Sequence, residues 1–171
     1  IDGWTALSQL GVAAIPQYEI VQVSDEDIEG DVVWTSRNTY ILNGFVFVEK
    51  DESLTIQPGT VIKGRPGQAE NASALIIAQG GEIYANGTRE NPIIFTAEAD
   101  DVENANDLPF DTRGLWGGVI VLGNAQINTA TGVGQIEGIP STEPRGDYGG
   151  NDDADNSGVL RYVSIRYGGT N

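Results

Sequence analysis

Apolar residues in this chain occur in short runs that are separated by turn-forming residues. From residue 31 onward the runs are rich in Val, Ile, Leu, Phe and Tyr, and Gly, Asn, Asp or Pro bound each of them. Several runs alternate apolar and polar positions, which is the period of a half-buried strand. We therefore predict an all-β fold with strands in the segments 32–34, 40–42, 45–48, 54–56, 60–63, 74–78, 82–85, 93–96, 119–122, 125–128 and 159–167.

The first 30 residues have a different pattern. Leu7, Leu10 and Ala14 share one side of a short predicted helix before Pro16, and residues 18–23 alternate like a strand. An acidic patch follows at 25–31. We predict that residues 1–30 form an N-terminal lead-in or cap and that residues 31–171 form the main domain.

An internal repeat indicates how the strands are arranged. The segment 54–64 reads as two short strands about a turn, and a shift of 21 residues gives the similar segment 75–85. A further shift of 44 residues gives 119–129, which implies an intervening coil that carries an insertion at 98–113. A second insertion spans 132–158. Because three short strands with their corners use roughly 20 residues, the repeat predicts a parallel β-helix.

The β-helix interpretation makes inward positions stack in ladders from coil to coil. A β-sandwich of antiparallel strands is the alternative, and it explains the strands but not the repeat. The positions that we expect to face inward are Leu54, Ile56, Ile62, Leu75, Ile77, Ile83, Val119, Val121 and Ile127.

These segments resemble a known family. The chain is similar to secreted or cell-surface proteins of Bacteroidota that are type IX-secreted or lipoprotein-like. The resemblance implies a right-handed parallel β-helix at an extracellular or cell-surface location, and it implies little about activity. It covers roughly residues 30–171 and is carried by Leu54–Gly64, Pro92–Ala97, Gly114–Gly118, Ile136–Gly138, Tyr148–Asp153 and Leu160–Gly169.

The amino-acid composition excludes several classes of function. The 171 residues suit one domain, and 25 acidic against 9 basic residues give a net charge of −16. This charge argues against nucleic acid and anionic membranes as partners and favours cations, above all calcium. Cys and His are absent, which excludes disulfides, thiolate chemistry, Ser-His-Asp triads and His-ligated zinc. Met is absent too, so we expect either a removed leader or a longer parent protein.

One loop has the spacing of a calcium ligand set. In the segment 153–158, Asp153 and Asp155 hold positions 1 and 3 of an EF-hand-like loop, Ser157 holds position 5 and Gly158 position 6. Asp152 and Asp147 are further predicted ligands. The match ends at position 12, which is a serine, and a solvated acidic loop is the alternative. Two weaker candidates are the acidic stretches 25–30 and 98–111.

Catalytic signals are sparse. Arg145 beside Asp147 and the acidic segment 152–155 is the only arrangement that suits a calcium-assisted polysaccharide lyase, and a surface ion pair is its alternative. Trp116, between glycines, suits either sugar stacking or the covering of a coil. Arg161 and Arg166 are expected on the outer face, paired with acids. We therefore predict a chain without enzymatic activity.

The ends of a β-helix expose unpaired backbone groups unless they are capped. The lead-in is the expected N-terminal cap, whereas nothing after Gly169 resembles a cap. Either more chain follows this end, or another subunit docks there. End-to-end docking of copies would generate a filament, with the lead-in adding a strand to its neighbour. The expected function is a secreted or cell-surface scaffold, adhesive protein or fibre subunit. An extracellular polysaccharide-binding or polysaccharide-cleaving module is the alternative.

Overall fold

The computed structural model describes residues 19–169, so the predicted helix with Leu7, Leu10 and Ala14 lies outside the described residues. Short strands dominate, and the 3-10 turns Asp25–Asp27, Ala69–Asn71 and Pro144–Gly146 interrupt them. In chain order the strands are β1 Glu19–Val23, β2 Asp31–Trp34, β3 Asn38–Leu42, β4 Phe45–Val48, β5 Ser53–Ile56, β6 Val61–Gly64, β7 Ala74–Ile77, β8 Glu82–Asn86, β9 Ile93–Ala97, β10 Gly118–Val121, β11 Gly134–Gln135, β12 Asp147–Tyr148, β13 Gly158–Arg161 and β14 Val163–Ile165.

Three parallel sheets run the length of the molecule. Sheet A has the order β1-β3-β6-β9-β14, sheet B has β2-β5-β8-β13, and sheet C has β4-β7-β10. The chain visits B, A and C in turn, so each circuit adds one strand to every sheet. All pairs in these sheets are parallel, whereas β11 and β12 form a separate antiparallel pair. The predicted parallel β-helix is therefore confirmed, and the antiparallel sandwich is excluded.

Inward side chains stack as ladders, as expected for coils of similar circumference. In sheet B, Trp34, Ile56 and Ala85 lie at equivalent positions of successive strands, and each is at most 3% exposed. In sheet C, Val48 and Ile77 form a ladder that is fully buried. The apolar interior is a single cluster to which all three sheets contribute. Hydrophobic burial along these ladders stabilises the stack.

The register corrects the repeat that the sequence suggested. Leu54 pairs with Ile83 in sheet B, whereas Leu75 lies in sheet C. The shift of 21 residues therefore aligned strands that belong to different sheets. Stacked strands are 22 residues apart between Asp31 and Ser53 and 29 apart between Gly44 and Ser73. The shift of 44 aligned stacked residues, because Val119 pairs with Leu75. The intervening coil that it implied is wrong, since β7 and β10 are direct neighbours in sheet C.

Two strand predictions also need correction. Segment 125–128 is not a strand, and Ile127 packs beside Gly149 instead of facing the interior. The run 159–167 is two strands, because Tyr162 adopts a left-handed backbone conformation with φ of 48° between β13 and β14. That residue makes the corner of the last coil, a position at which glycine is more usual.

Two insertions cover the outer faces of two sheets. The first, between β9 and β10, packs Val102 against Val61 and Ile94 on sheet A. The second, between β10 and β13, packs Ile136, Ile139 and Tyr148 against the outer face of sheet C. The outer face of sheet B has no such apolar cluster among the described residues, and Val33 there is 54% exposed.

The end of the stack that carries β1, β2 and β4 is closed. Inward residues of these terminal strands are buried or partly buried: Trp34 is 3% exposed and Val46 is fully buried, whereas Val21 and Val32 are half-buried against the core. The segment between β1 and β2 crosses this end, and its Ile28, 5% exposed, joins the core. The Asp25 carboxylate accepts the amide of Phe47 on β4, which satisfies an edge donor. β1 itself pairs with β3 and is the terminal strand of sheet A at this end among residues 19–169.

The packing of Gly64 against Trp116 gives a test of the fold. A Cβ at Gly64 would lie 2.4 Å from Cε3 of Trp116, whose side chain is fully buried. We expect Gly64→Ala to lower the free energy of unfolding by about 1–3 kcal/mol, because the ring has no room to shift. Gly168→Ala is the matched control, since its Cβ would meet only ordinary contacts, the nearest at 3.4 Å. Equal losses in chemical denaturation of the two variants would contradict this packing.

Candidate functional site

The predicted calcium loop lies in the second insertion, and two of its carboxylates bind backbone. Oδ2 of Asp155 accepts the amide of Asn124 at 3.0 Å, and its Oδ1 accepts the Asn124 side-chain amide at 3.2 Å. Oδ1 of Asp153 accepts the amide of Gln126 at 3.0 Å. Together they fasten the segment that leaves sheet C to the segment that leads into β13.

The other predicted ligands have separate surroundings. Asp152 accepts the amide of Ala154, Asp147 pairs with Gln135 in the β11–β12 ladder, and the Ser157 carbonyl accepts the amide of Ile83. Within residues 19–169, no three or more His, Cys, Asp or Glu residues are grouped as a metal site. Calcium binding by this loop stays a prediction, and a melting temperature that does not respond to a chelator would contradict it.

Arg145 holds the second insertion against the body of the β-helix. Its guanidinium lies 2.8 Å from Asp25, 2.8 Å from Glu49 and 2.7 Å from Glu143, and its Cζ lies 3.9 Å from the centre of the Phe47 ring. Hydrogen bonds from Arg145 hold the pKa of the Glu143 carboxyl below its usual range. These ion pairs correct the suggestion that Arg145 works with the acidic segment 152–155, because its guanidinium bridges two other parts of the chain.

Trp116 is structural, as the second of its two interpretations predicted. The ring is fully buried, and Nε1 donates to the carbonyl of Arg166 at 2.7 Å. It therefore covers the coil and presents no face for a sugar. Of the two arginines expected on the outer face, Arg166 pairs with an acid, Asp100, whereas Arg161 is exposed with its guanidinium 5.5 Å from the Tyr162 ring.

Asp100 and Arg166 join the first insertion to the segment that directly follows β14, and no sequence pattern predicted this pair. The Asp100 side chain is 1% exposed, and its Oδ2 lies 3.4 Å from the guanidinium and also accepts the Thr96 hydroxyl. Lys63 donates to the Asp100 carbonyl at 2.7 Å, and Oδ1 accepts no hydrogen bond within the described part of the chain. The acidic pattern at 98–111 contained Asp100, but nothing in that pattern marked it as buried.

The burial of Asp100 predicts a pH dependence of stability. Burial raises the pKa of its carboxyl above the usual 3.8, although Thr96 and Arg166 oppose this effect. The folded state therefore binds the proton more tightly than the unfolded chain does, so this group stabilises most below about pH 4 and its contribution falls as pH rises through the folded pKa. A tenfold difference in proton affinity between the two states corresponds to about 1.4 kcal/mol of stability.

Comparison with Asp100→Asn isolates this effect from the other carboxylates. We expect the free energy of unfolding of the wild type, relative to the variant, to decrease from about pH 4 to pH 7. Urea unfolding of both proteins across this range is the measurement. Parallel pH profiles would show that Asp100 titrates in the folded protein as it does in the unfolded chain.

The end opposite the closed one exposes the core, and we take it as the candidate functional site. Here β14, β13 and β10 are the terminal strands of sheets A, B and C. Their inward residues Ile165, Leu160 and Val121 are 49%, 46% and 44% exposed. The equivalent residues one strand earlier, Phe95, Ala85 and Ile77, are each fully buried. We call the surface formed by β10, β13 and β14 the open end.

The open end combines exposed apolar side chains with a surface depression. A depression of about 620 Å³ lies there, lined by Leu160, Tyr162, Val163, Ser164 and Ile165. Its strands present backbone edges as well as apolar side chains, which is the combination that pairs with added strands. No sequence pattern indicated which side chains are exposed there.

The coil that forms the open end is held in a defined conformation. Gly158 begins β13 with φ of 112°, and a Cβ there would lie 1.9 Å from the carbonyl oxygen of Ile83. Tyr162 and Tyr167 adopt left-handed φ values of 48° and 55°. Such residues cost of order 1 kcal/mol each, so the surrounding contacts must hold this coil in place. The coil therefore presents a preformed surface at the open end.

These features define a parallel β-helix with one closed and one open end. A family model for the pectate-lyase-like beta helix domain matches residues 26–171, and the chain belongs to that family. Searches of curated proteins and of solved structures returned no significant match. No helix within residues 19–169 is long and apolar enough to span a membrane.

Proposed function

We propose that this chain is an extracellular structural module that assembles end to end through its open end. The observation that carries the proposal is the exposure of Val121, Leu160 and Ile165 at positions that are buried in the preceding coil. A folded protein lowers its free energy when such a surface is covered. Because the surface also presents strand edges from three sheets, its best cover is polypeptide in strand conformation.

Charge favours a head-to-tail arrangement of copies. The closed end carries six acidic and no basic residues in the segment 19–31, whereas the segment 158–169 carries two arginines and no acid. Of these arginines Arg161 is exposed, at the edge of β13. Opposite potentials orient an encounter between the two ends. The net charge of −16 on each copy opposes this attraction at longer range. A contact between unlike ends does not close on itself, so it propagates into a filament.

A pair of adjacent residues on β13 tests this proposal. Leu160 faces the open core and is 46% exposed, whereas its neighbour Val159 lies on the outer face and is 40% exposed. We expect Leu160→Asp to weaken self-association at least about tenfold and Val159→Asp to change it less than about twofold, because only the first places a charge in the buried contact.

Sedimentation velocity over a concentration series measures this difference, and electron microscopy shows the form of the assembly. The two variants add the same charge, so long-range repulsion is matched. A wild-type chain that stays monodisperse at all concentrations would contradict the proposal.

A second candidate function, polysaccharide binding, rests on the outer face of sheet B. Val33, Thr55, Tyr84 and Val159 form one row across four strands there, and Tyr84 is 37% exposed. An aromatic ring in a flat exposed row is a surface on which a sugar ring stacks. The family description names pectate lyase, but a net charge of −16 opposes binding of a polyanion such as pectate.

Tyr84→Ala tests the second candidate. If this face binds polysaccharide, the substitution weakens retention on a panel of neutral and anionic polysaccharides by about tenfold, because the stacking partner is lost. Thr55→Ala, in the same row without an aromatic ring, is the control. Equal retention of Tyr84→Ala and the wild type on every polysaccharide would exclude this face. Assay of the same mixtures for unsaturated products tests lyase activity.

A further inference from the structure

The outer face of sheet B is left uncovered by both insertions. The first insertion packs on sheet A and the second on sheet C. Four residues at one register position, Val33, Thr55, Tyr84 and Val159, cross all four strands of sheet B. Val33, Tyr84 and Val159 are 54%, 37% and 40% exposed. We call these four residues the middle row, and a partner that covers them removes apolar surface from water.

Acidic residues line the edge of this face at which the strands begin. Oδ1 of Asp31 accepts the hydroxyl of Ser53 at 2.6 Å, and Glu82 accepts the hydroxyl of Tyr84. The second bond holds the Tyr84 ring along the face before any partner arrives, which lowers the entropic cost of a contact. We call this border the acidic edge, and its members at or just before β2, β5 and β8 are Glu29, Asp31, Glu52 and Glu82.

Arginines line the opposite edge, at which the strands end. Arg37 follows β2, Arg89 follows β8 and Arg161 ends β13, and all three are exposed. None of them forms an ion pair within the described range 19–169. Glu90 is the one acidic residue in the segments 35–37, 57–60, 86–92 and 161–162. We call this border the basic edge, and it holds three of the nine basic residues of a strongly acidic chain.

We propose that the outer face of sheet B binds the same face of a second copy, with the strands of the two copies antiparallel. A pair related by a two-fold axis uses one surface twice, so the surface must complement itself. With antiparallel strands, the acidic edge of each copy lies opposite the basic edge of the other. With parallel strands, each edge meets its own like, and juxtaposed like charges cost free energy. Charge complementarity therefore selects both the occupant and its orientation.

This orientation fixes which residues meet. A two-fold axis that reverses the strands of two facing sheets runs along the stack, so residues of the same coil face each other. Tyr84 therefore meets Tyr84 of the partner subunit. Asp31 lies opposite Arg37 of the partner subunit, because both residues belong to the coil that contains β2. The lateral contact uses neither end of the β-helix, so it forms with or without the proposed end-to-end assembly.

A polysaccharide is the other candidate occupant of this face. A sugar ring that stacks on Tyr84 covers part of the middle row, but a neutral sugar makes no use of either charged edge. A polyanion meets the acidic edge, where like charges oppose it. A second copy covers the row and neutralises both edges at once. Because the face is only four strands wide, we expect a weak pair that crosslinking traps.

Cysteine variants along β5 test the contact and its orientation, since the chain has no cysteine of its own. Ser53, Thr55 and Gln57 stand on the acidic side, in the middle row and on the basic side of the face. With a short bis-maleimide that spans the roughly 10 Å between packed sheets, we expect Thr55→Cys to give at least about fivefold more dimer than Ser53→Cys or Gln57→Cys.

A mixture of Ser53→Cys and Gln57→Cys reports the orientation. We expect at least about fivefold more crosslinked heterodimer than either homodimer, because these two positions lie opposite each other only when the strands are antiparallel.

Charge reversal tests the paired edges independently. Arg37→Glu is expected to lower the dimer affinity at least about fivefold more than Arg113→Glu, which replaces an exposed arginine near the first insertion and changes the net charge equally. Combining Arg37→Glu with Asp31→Arg is expected to restore the affinity to within about twofold of the wild type, because the reversed pair again joins the two copies. Sedimentation equilibrium measures these affinities in chains that also carry Leu160→Asp, which weakens the end-to-end contact.

The possible outcomes separate this proposal from the others. Equal crosslinking at the three β5 positions, with an affinity that Arg37→Glu leaves unchanged, would overturn lateral pairing and leave the end-to-end function untouched. Homodimers of Ser53→Cys in place of the heterodimer would overturn the antiparallel orientation. If Tyr84→Ala loses retention on a polysaccharide and Thr55→Cys gives no crosslink, a sugar occupies this face and the second copy is excluded.

Discussion

The structure depends on the fact that one coil of a parallel β-helix cannot bury its own core. Each coil contributes one layer of inward side chains, and the layers on both sides remove that layer from water. Ile77 and Val121 show the magnitude of this dependence. They occupy equivalent positions in neighbouring strands of sheet C, yet the first is fully buried and the second is 44% exposed. A difference of one layer changes a core residue into a surface residue.

The same constraint explains the two insertions. Parallel strands that are apolar on both faces need a cover on the outer face as well as a core on the inner one. Phe47 and Ile76 on sheet C, and Val61 and Ile94 on sheet A, are outward residues that the insertions bury. Each insertion is then fastened by an arginine. Arg145 links the second insertion to the closed end, and Arg166 links the first to the last coil. A buried pair such as Asp100–Arg166 orients the loop more than it stabilises it.

Much of the fold was predictable because the strands and corners of each coil follow local sequence patterns. Alternating runs located most strands, and Gly and Asn located most corners. The register of the strands was harder to predict, because strands of different sheets have similar apolar patterns. Leu54 and Leu75 illustrate this, since both begin similar segments and lie in different sheets. The pair of Asp100 with Arg166 was not predictable, since its members are 66 residues apart and only the folded loop brings them together. The exposed residues of the open end were not predictable either, because they depend on the register.

Amide hydrogen exchange at two protein concentrations tests the central claim most directly. The claim is that the coil formed by β10, β13 and β14 becomes an interior layer when a second copy covers the open end. The account predicts that those amides of Val159–Arg161 and Val163–Ile165 that point away from β8 and β9 exchange quickly in dilute solution and become protected as concentration rises, whereas amides in the middle strands β5–β8 are protected throughout. Protection of the last coil that is the same at every concentration would contradict it.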